Sequence, residues 1–175
     1  MTGVQTCALP ILLDVPDFPK PGVTFKDITP LLHSPSAYAD AINRMADAFR
    51  GVDIDLVLGV ESRGFFFGAP LALKLGRGFI PVRKPGKLPR ERVSASYQLE
   101  YGIDALELHR DAIGRNQPVI LVDDVLATGG TISACAQMVR ELGGRVAGYC
   151  FLMELEFLKG REKLAGERVV SLLRY

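Results

Sequence analysis

Short, uninterrupted apolar runs constrain the fold of this chain most strongly. Each has the length of one strand and lacks the alternation of apolar and polar residues that marks a strand with one solvated face. These runs are IDLVLGV, GFIPV, PVILVDD and RVAGYCFLMEL. Segments with helical periodicity lie among them, namely SAYADAINRMADAF, GFFFGAPLALKLG and TISACAQMVRELGG. Buried strands alternating with helices predict an α/β fold with a mostly parallel central sheet flanked by helices.

The segments outside this alternation are expected to be less regular. Residues 1–11 show no helical periodicity and are interpreted as an irregular N-terminal arm. The segment DFPKPGVTFKDITPLL is also expected to be irregular, because proline removes a backbone donor and restricts the residue before it. Ser36 is the predicted N-cap of the first helix. Gly76 and Gly143 are the predicted stops of the other two helices.

Length and composition exclude several classes of protein. A chain of 175 residues with 48% hydrophobic content is expected to form a single domain over residues 1–175. The formal net charge of +1 gives no support to a nucleic-acid or membrane-surface partner, and the apolar runs are too short to cross a bilayer. Cys7, Cys135 and Cys150 are too few and too widely spaced for a disulfide framework or a cysteine metal site. A cytoplasmic location is therefore expected.

The stretch VILVDDVLATGGT, residues 119–131, predicts a binding site at the end of a strand. Its small, glycine-containing turn can present several backbone N–H groups to one anion, and the helix that follows adds its positive end. Thr128 and Thr131 can add hydroxyl donors. Asp123 and Asp124 would repel a phosphate, but carboxylates suit vicinal hydroxyls or Mg²⁺. A phosphate and a diol one sugar apart indicate a ribose 5-phosphate.

Other phosphate-binding and hydrolytic motifs do not fit. Neither a Walker A motif nor a complete G-x-G-x-x-G motif occurs in the chain. VESRG differs from the G-x-S-x-G nucleophile elbow because Val60 stands at its first position. Only His33 and His109 are available as catalytic bases, which makes a hydrolase triad a poor interpretation.

With these residues in view, the chain resembles the type I phosphoribosyltransferase family, and within it the adenine phosphoribosyltransferases. VILVDDVLATGGT resembles the family's motif for phosphoribosyl pyrophosphate (PRPP). The resemblance extends from about Asp14 to Tyr175, and Lys26 stands where the family commonly has arginine. It rests on DFPKPGVTFKDITPLL, GVESRGFFFG, RKPGKLP, YQLEYG and LKGREKL. It implies the type I phosphoribosyltransferase fold with a small N-terminal hood and a flexible catalytic lid over residues 83–101.

The resemblance also implies an activity and a set of site residues. The family transfers the 5-phosphoribosyl group of PRPP to N9 of adenine with Mg²⁺, giving AMP and pyrophosphate, and its members are usually homodimers. The metal would be held mainly by PRPP, with Asp123 and Asp124 as candidate ligands. The ribose 5-phosphate would be bound by Ala127, Thr128, Gly129, Gly130 and Thr131. The pyrophosphate would be bound by Glu61, Ser62, Arg63, Lys84, Lys87, Tyr101 and Arg83, the last of these reaching a neighbouring subunit. Adenine would be bound by Thr24, Phe25, Lys26 and Leu155.

Glu100 is the expected proton-transfer residue, because in the family this glutamate closes over the base and is placed near its N7. With Asp123 and Asp124 it completes the predicted catalytic set. Two alternatives remain open from the sequence. One is a phosphoribosyltransferase for another purine base, and the other is a PRPP-sensing regulator without turnover. The segments FPKPGVTFKDI and LEYG favour adenine, and the chain has no spare length for a DNA-binding domain.

Overall fold

The computed structural model describes residues 12–98 and 103–175. The chain divides into two compact units, of which the first ends at Ile42 and the second spans Asn43–Tyr175. Cys7 and the predicted N-terminal arm over residues 1–11 lie outside the described residues.

The first unit contains more regular structure than its prolines suggest. Strands β1 (Leu13–Val15) and β2 (Phe25–Asp27) pair antiparallel, and helix α1 (Thr29–His33) follows. The expectation of an irregular segment was therefore wrong for β2 and α1. The prolines lie in the turn between the strands or in the first turn of α1, where the missing N–H costs nothing.

Helix α2 (Pro35–Ala48) begins at a proline. The prediction of Ser36 as its N-cap was wrong, because the helix starts before that residue. Proline suits a first helical position, since its φ is already helical and its absent N–H would have no intrahelical partner there.

The second unit is built around a five-stranded sheet. Its elements in chain order are β3 (Leu56–Val60), α3 (Arg63–Leu75), β4 (Gly78–Val82), β5 (Arg92–Gln98), β6 (Ile103–His109), β7 (Pro118–Leu126), α4 (Gly130–Glu141), β8 (Arg145–Glu154) and β9 (Val169–Arg174). The strand order is β4-β3-β7-β8-β9, and every neighbouring pair is parallel. The predicted α/β fold and the four buried runs are confirmed. Strand β9 was missed because it lies at the sheet edge and most of its residues are only half-buried.

The helices of the second unit end where glycine allows it. Helix α3 ends at Gly76, whose φ of 64° is left-handed. Helix α4 is followed by Gly143, whose φ is 86°, and the N–H of Gly143 donates to the Arg140 carbonyl. Both predicted stops are confirmed. None of the helices within the described ranges is long and apolar enough to cross a membrane.

The main core is formed by the sheet, helix α4 and the hairpin of strands β5 and β6. Strands β5 and β6 pair antiparallel, and β5 begins at Arg92. The lid predicted as a loop over residues 83–101 is therefore partly strand, and only residues 84–91 of its described part lack strand structure. The core combines residues of the hairpin, the sheet and α4, including Val93, Leu106, Leu108, Leu121, Cys135, Val139, Tyr149 and Phe151.

Candidate active site

The carboxyl ends of β3 and β7 lie side by side in the sheet, and a cavity of about 350 Å³ opens there. Carboxyl ends of parallel strands are where open α/β sheets bind ligands. Many of the predicted site residues line this cavity, namely Glu61, Ser62, Arg63, Lys84, Asp123, Asp124, Ala127, Thr128, Gly129, Gly130 and Thr131. Residues far apart in the sequence therefore line one cavity.

Two adjacent carboxylates form one wall of the cavity. Asp124 is only 3% exposed, and the Arg63 Nε lies 2.8 Å from its Oδ2. Asp123 Oδ1 accepts a hydrogen bond of 2.9 Å from the Asp124 N–H. Burial raises the pKa of both acids, and the charge of Asp124 raises the pKa of Asp123 further. Arg63 thus faces two acids. Hydroxyl donors or a cation supplied by a ligand would stabilise the charged forms of this acid pair.

The position of Arg63 depends on how closely α3 approaches β7. A Cβ at Gly64 would lie 2.8 Å from the Val122 carbonyl oxygen and 3.1 Å from Asp123 Oδ1. Only glycine fits at this distance, since real Cβ atoms essentially never come within 3.0 Å of such atoms. Gly64 therefore lets the start of α3 bring Arg63 to the acid pair.

The turn after β7 leaves backbone donors at the cavity wall. Gly129 precedes α4 with a left-handed φ of 75°, and no side chain of the described chain caps this helix. The first N–H groups of a helix have no intrahelical partner, so an uncapped start is suited to an anion. Gly130 and Thr131 at the start of α4 line the cavity with Thr128. The loop, residues 127–131, therefore lines the cavity with its uncapped helix start, and its role in phosphate binding stays a prediction.

Glu61 accepts three hydrogen bonds from residues 83–91, a segment with four cations that is called the basic loop below. Its carboxylate accepts hydrogen bonds from the Arg83 Nε at 3.0 Å, the Lys84 N–H at 2.8 Å and the Lys87 Nζ at 2.9 Å. Burial alone would raise the pKa of Glu61, but these donors and the charge of Arg83 outweigh it and hold the pKa at about 2. Glu61 therefore places Lys87 and Arg83 beside the cavity wall that it lines itself.

Two functional candidates from the hairpin were missed from the sequence. Tyr97 and Asp104 line the cavity, and the Tyr97 hydroxyl donates to Asp104 Oδ2 at 3.1 Å. The Lys84 Nζ also lies 3.1 Å from this oxygen, and it is the main reason that the Asp104 pKa is lowered. The alternation of Val93, Ala95 and Tyr97 was the available signal, because it places Tyr97 on the inward face of β5.

The residues predicted to bind adenine lie in both units. Within the first unit, Phe25 packs edge-on against Phe18 with ring centroids 5.3 Å apart, Lys26 Nζ lies 2.7 Å from Asp14 Oδ1, and Thr24 is exposed. Within the second unit, the Leu155 N–H donates to the Leu126 carbonyl, which places Leu155 at the carboxyl edge of the sheet. Their joint role stays a prediction.

Glu100 and Tyr101 lie outside the described residues, so their predicted roles also stay predictions. Two further cations of this region, Arg90 and Arg92, pair with Asp111 and Glu107.

The site combines an acid pair and an uncapped glycine turn at one strand end of a parallel sheet, beside a basic loop. This combination is typical of enzymes that act on phosphorylated ribose. The family described as phosphoribosyl transferase domain matches residues 28–170, and the chain belongs to this family. Within the family, the comparisons identify a narrower group. The adenine phosphoribosyltransferase of Halothermothrix orenii is 55% identical, over 92% of this chain and 95% of the relative. That of Myxococcus xanthus is 54% identical, over 94% of this chain and 89% of the relative.

Solved structures agree with these relatives. The adenine phosphoribosyltransferase of Thermoanaerobacter pseudethanolicus has a TM-score of 0.92 at 53% identity, covering 94% of this chain and 96% of that one. The Saccharomyces cerevisiae enzyme, solved with an imino-altritol bisphosphate and adenine, has a TM-score of 0.87 at 44% identity, covering 93% and 94%. The chain thus belongs with the adenine phosphoribosyltransferases, and the fold and family predicted from the sequence are confirmed.

Proposed function

We propose that the protein transfers the 5-phosphoribosyl group of PRPP to N9 of adenine, releasing AMP and pyrophosphate, and so serves purine salvage. The observation that carries this proposal is one cavity lined by the acid pair, the uncapped glycine turn and two cations, Arg63 and Lys84. The three features match the hydroxyls, the 5-phosphate and the pyrophosphate of one PRPP molecule. The names of the relatives support adenine as the base.

The ribose 5-phosphate is assigned to the main-chain N–H groups and hydroxyls of residues 127–131. Asp123 and Asp124 would accept hydrogen bonds from the ribose hydroxyls. Their negative charge would also favour the positive charge that develops on the sugar ring as the bond to pyrophosphate breaks. Burial raises the pKa of both acids, so hydroxyl donors or a cation from a ligand would stabilise their charged forms.

The pyrophosphate is assigned to the Glu61–Ser62 peptide, through its backbone, and to Arg63, Lys84, Lys87 and Tyr101. In the free protein the three cations are paired with Asp124, Asp104 and Glu61. Pyrophosphate oxygens can take these donors over as charge-assisted hydrogen bonds, so the carboxylates hold the cations in place until the ligand arrives. Arg83, assigned to a neighbouring subunit's pyrophosphate, pairs with Glu61 of its own chain here.

Adenine is assigned to Phe25 of the first unit and Leu155 of the second, and the recognition of its edge to the backbone near Thr24 and Lys26. Glu100 is assigned the proton at N7, which would make the ring a better partner for the sugar carbon. Of the predicted lid over residues 83–101, the part outside the strands, residues 84–91, would close over the site and exclude water during the reaction.

Mg²⁺ fits the chemistry of the acid pair. Asp123 lines the cavity and offers hard carboxylate oxygen, the ligand that Mg²⁺ prefers. The ion is proposed to be held mainly by the phosphates and hydroxyls of PRPP. Bound there, the ion would neutralise charge on the leaving pyrophosphate.

The protein is further proposed to form a homodimer in the cytoplasm. Phe66 and Leu73, 44% and 84% exposed, are seven residues apart on α3 and so lie on one face of that helix. An exposed apolar strip of this kind suits a second copy of the chain. Cys135 and Cys150 are free, buried thiols, as expected in a reducing compartment. Sedimentation with the wild type and with Leu73→Glu tests the dimer, and a wild-type monomer at micromolar concentration would contradict it.

A panel of adenine, hypoxanthine, guanine and xanthine, each with PRPP and Mg²⁺, tests the function. We expect turnover with adenine and at least a hundredfold lower kcat/KM with the other bases. Preference for another base would show a different purine specificity. Binding of PRPP without turnover of any base would show a regulator.

A further inference from the structure

The segment after β8 lies directly against the proposed phosphate loop. Two short 3₁₀ turns, Glu156–Leu158 and Gly160–Leu164, form this segment. A Cβ added to Gly160 would lie 2.1 Å from the Ala127 carbonyl oxygen and 2.9 Å from the Gly129 nitrogen. A Cβ added to Gly129 would in turn lie 2.7 Å from the Gly160 carbonyl oxygen. The two main chains therefore touch with no room for a side chain.

Position 160 requires glycine only because there is no space for a side chain. Its φ lies outside the left-handed range, so another residue could adopt its backbone conformation without strain. The residue is buried, and the cavity wall formed by described residues does not include it. Gly160 thus contacts the loop without being placed to contact the ligand.

An ion pair with a buried carboxylate attaches this segment to the sheet. Glu154, the last residue of β8, is 3% exposed and receives the Arg161 guanidinium through two hydrogen bonds, of 2.8 Å and 2.5 Å. Ser171 Oγ in β9 donates to the same carboxylate at 2.9 Å, and Arg161 also donates to the Val169 carbonyl. Such a bidentate pair fixes direction as well as distance. Arg161 directly follows Gly160 in the chain. Its contacts therefore anchor this part of the segment to strands β8 and β9.

We propose that Gly160 is a positioning residue that fixes the phosphate loop, and that the Arg161–Glu154 pair holds Gly160 in place. The argument rests on the proposed function, because it assigns the loop to the ribose 5-phosphate. Main-chain donors bind a phosphate only while they point at one centre, and a shift of a few tenths of an ångström changes several hydrogen bonds together. A side chain at position 160 would force such a shift, because both neighbours are backbone.

Gly160→Ala tests the proposal through two ligands measured separately by calorimetry. We expect the Kd for ribose 5-phosphate to rise at least tenfold, while the Kd for pyrophosphate changes less than twofold. In turnover, the KM for PRPP should rise more than kcat falls. Gly114→Ala is the matched control, because the added Cβ there meets the flexible Gln117 side chain instead of backbone. Equal losses for both ligands would overturn the positioning role, as would an unchanged Kd for ribose 5-phosphate.

Arg161→Lys decides the question if Gly160→Ala does not fold. Lysine keeps the charge that Glu154 requires but cannot form the two-pronged contact. We expect a threefold to tenfold rise in the Kd for ribose 5-phosphate with little change for pyrophosphate, and no change in Lys163→Ala, which removes an exposed cation of the same turn. No difference between the two variants would overturn the role of the pair. Failure of the wild type to bind ribose 5-phosphate would overturn the proposed function itself.

Discussion

Replacing Arg63 with methionine should destabilise the protein in a way that depends on pH. Asp124 would lose its guanidinium partner at 2.8 Å while its side chain stays 4% exposed. Removing one partner of a buried pair costs about 3–5 kcal/mol. Because Arg63 is itself 39% exposed, solvent screens part of this, and we expect a loss of about 2–3 kcal/mol at pH 7.5. For a chain of this size, that corresponds to a fall in Tm of roughly 4–12 °C.

The penalty should disappear at low pH. Burial already raises the pKa of Asp124 in the folded state, and Arg63 is the main opposing influence, so its removal raises that pKa further. When a carboxyl has a folded-state pKa above its unfolded value of about 3.9, the folded state binds more protons than the unfolded state between those two pH values. The free energy of unfolding therefore falls as pH rises through this range. The difference between variant and wild type should therefore be largest above the folded pKa and small near pH 4.

Urea unfolding of both proteins at pH 7.5 and pH 4.5 measures this difference directly. Lys74→Met is the control, because it removes an exposed cation from the same helix. At pH 4.5 the free energy of unfolding of Arg63→Met should approach that of the wild type. The free energy of unfolding of Lys74→Met should stay within about 0.5 kcal/mol of the wild type at both pH values. A penalty of the same size at both pH values, or one no larger than that of the control, would refute the electrostatic reasoning.

Three further predictions concern the site and the core. Asp123→Asn combined with Asp124→Asn should lower kcat/KM for PRPP by at least about a hundredfold in steady-state kinetics without lowering Tm, because the acids are charged at a cost in the folded state; wild-type turnover would remove the assigned role. Glu100→Gln should lower kcat by about tenfold to a thousandfold, and an unchanged kcat where chemistry limits turnover would exclude it as the proton donor. Leu106→Ala, at a residue 1% exposed in the hairpin, should cost about 2–5 kcal/mol in urea unfolding, and a loss below 1 kcal/mol would show that the hairpin is not part of the main core.

The sequence predicted those parts of the fold in which local pattern and tertiary burial agree. The run PVILVDD became β7 because strands buried on both faces need apolar residues throughout. Strands β1 and β2 were not predicted, because three residues carry too little pattern and nearby prolines suggested the opposite. Strand β9 lies at an edge with half-buried residues, where the demand for apolar side chains is weaker.

The same limit applies to the site. Asp123, Asp124 and the turn that follows are adjacent in the sequence, so their joint chemistry could be read directly. Tyr97 and Asp104 reach the cavity only because a hairpin folds beside it, and that packing has no local pattern. The contact of Gly160 with Gly129 likewise joins residues that the chain brings together only through β8.

The central claim is that residues 127–131 bind the sugar's terminal phosphate while Asp123 and Asp124 bind its hydroxyls. A crystal structure with AMP tests it most directly. We expect the phosphate oxygens within 2.7–3.2 Å of main-chain nitrogens of the loop, and the ribose hydroxyls on the two carboxylates, directly or through Mg²⁺. A nucleotide bound elsewhere, with the loop free of phosphate, would contradict the account.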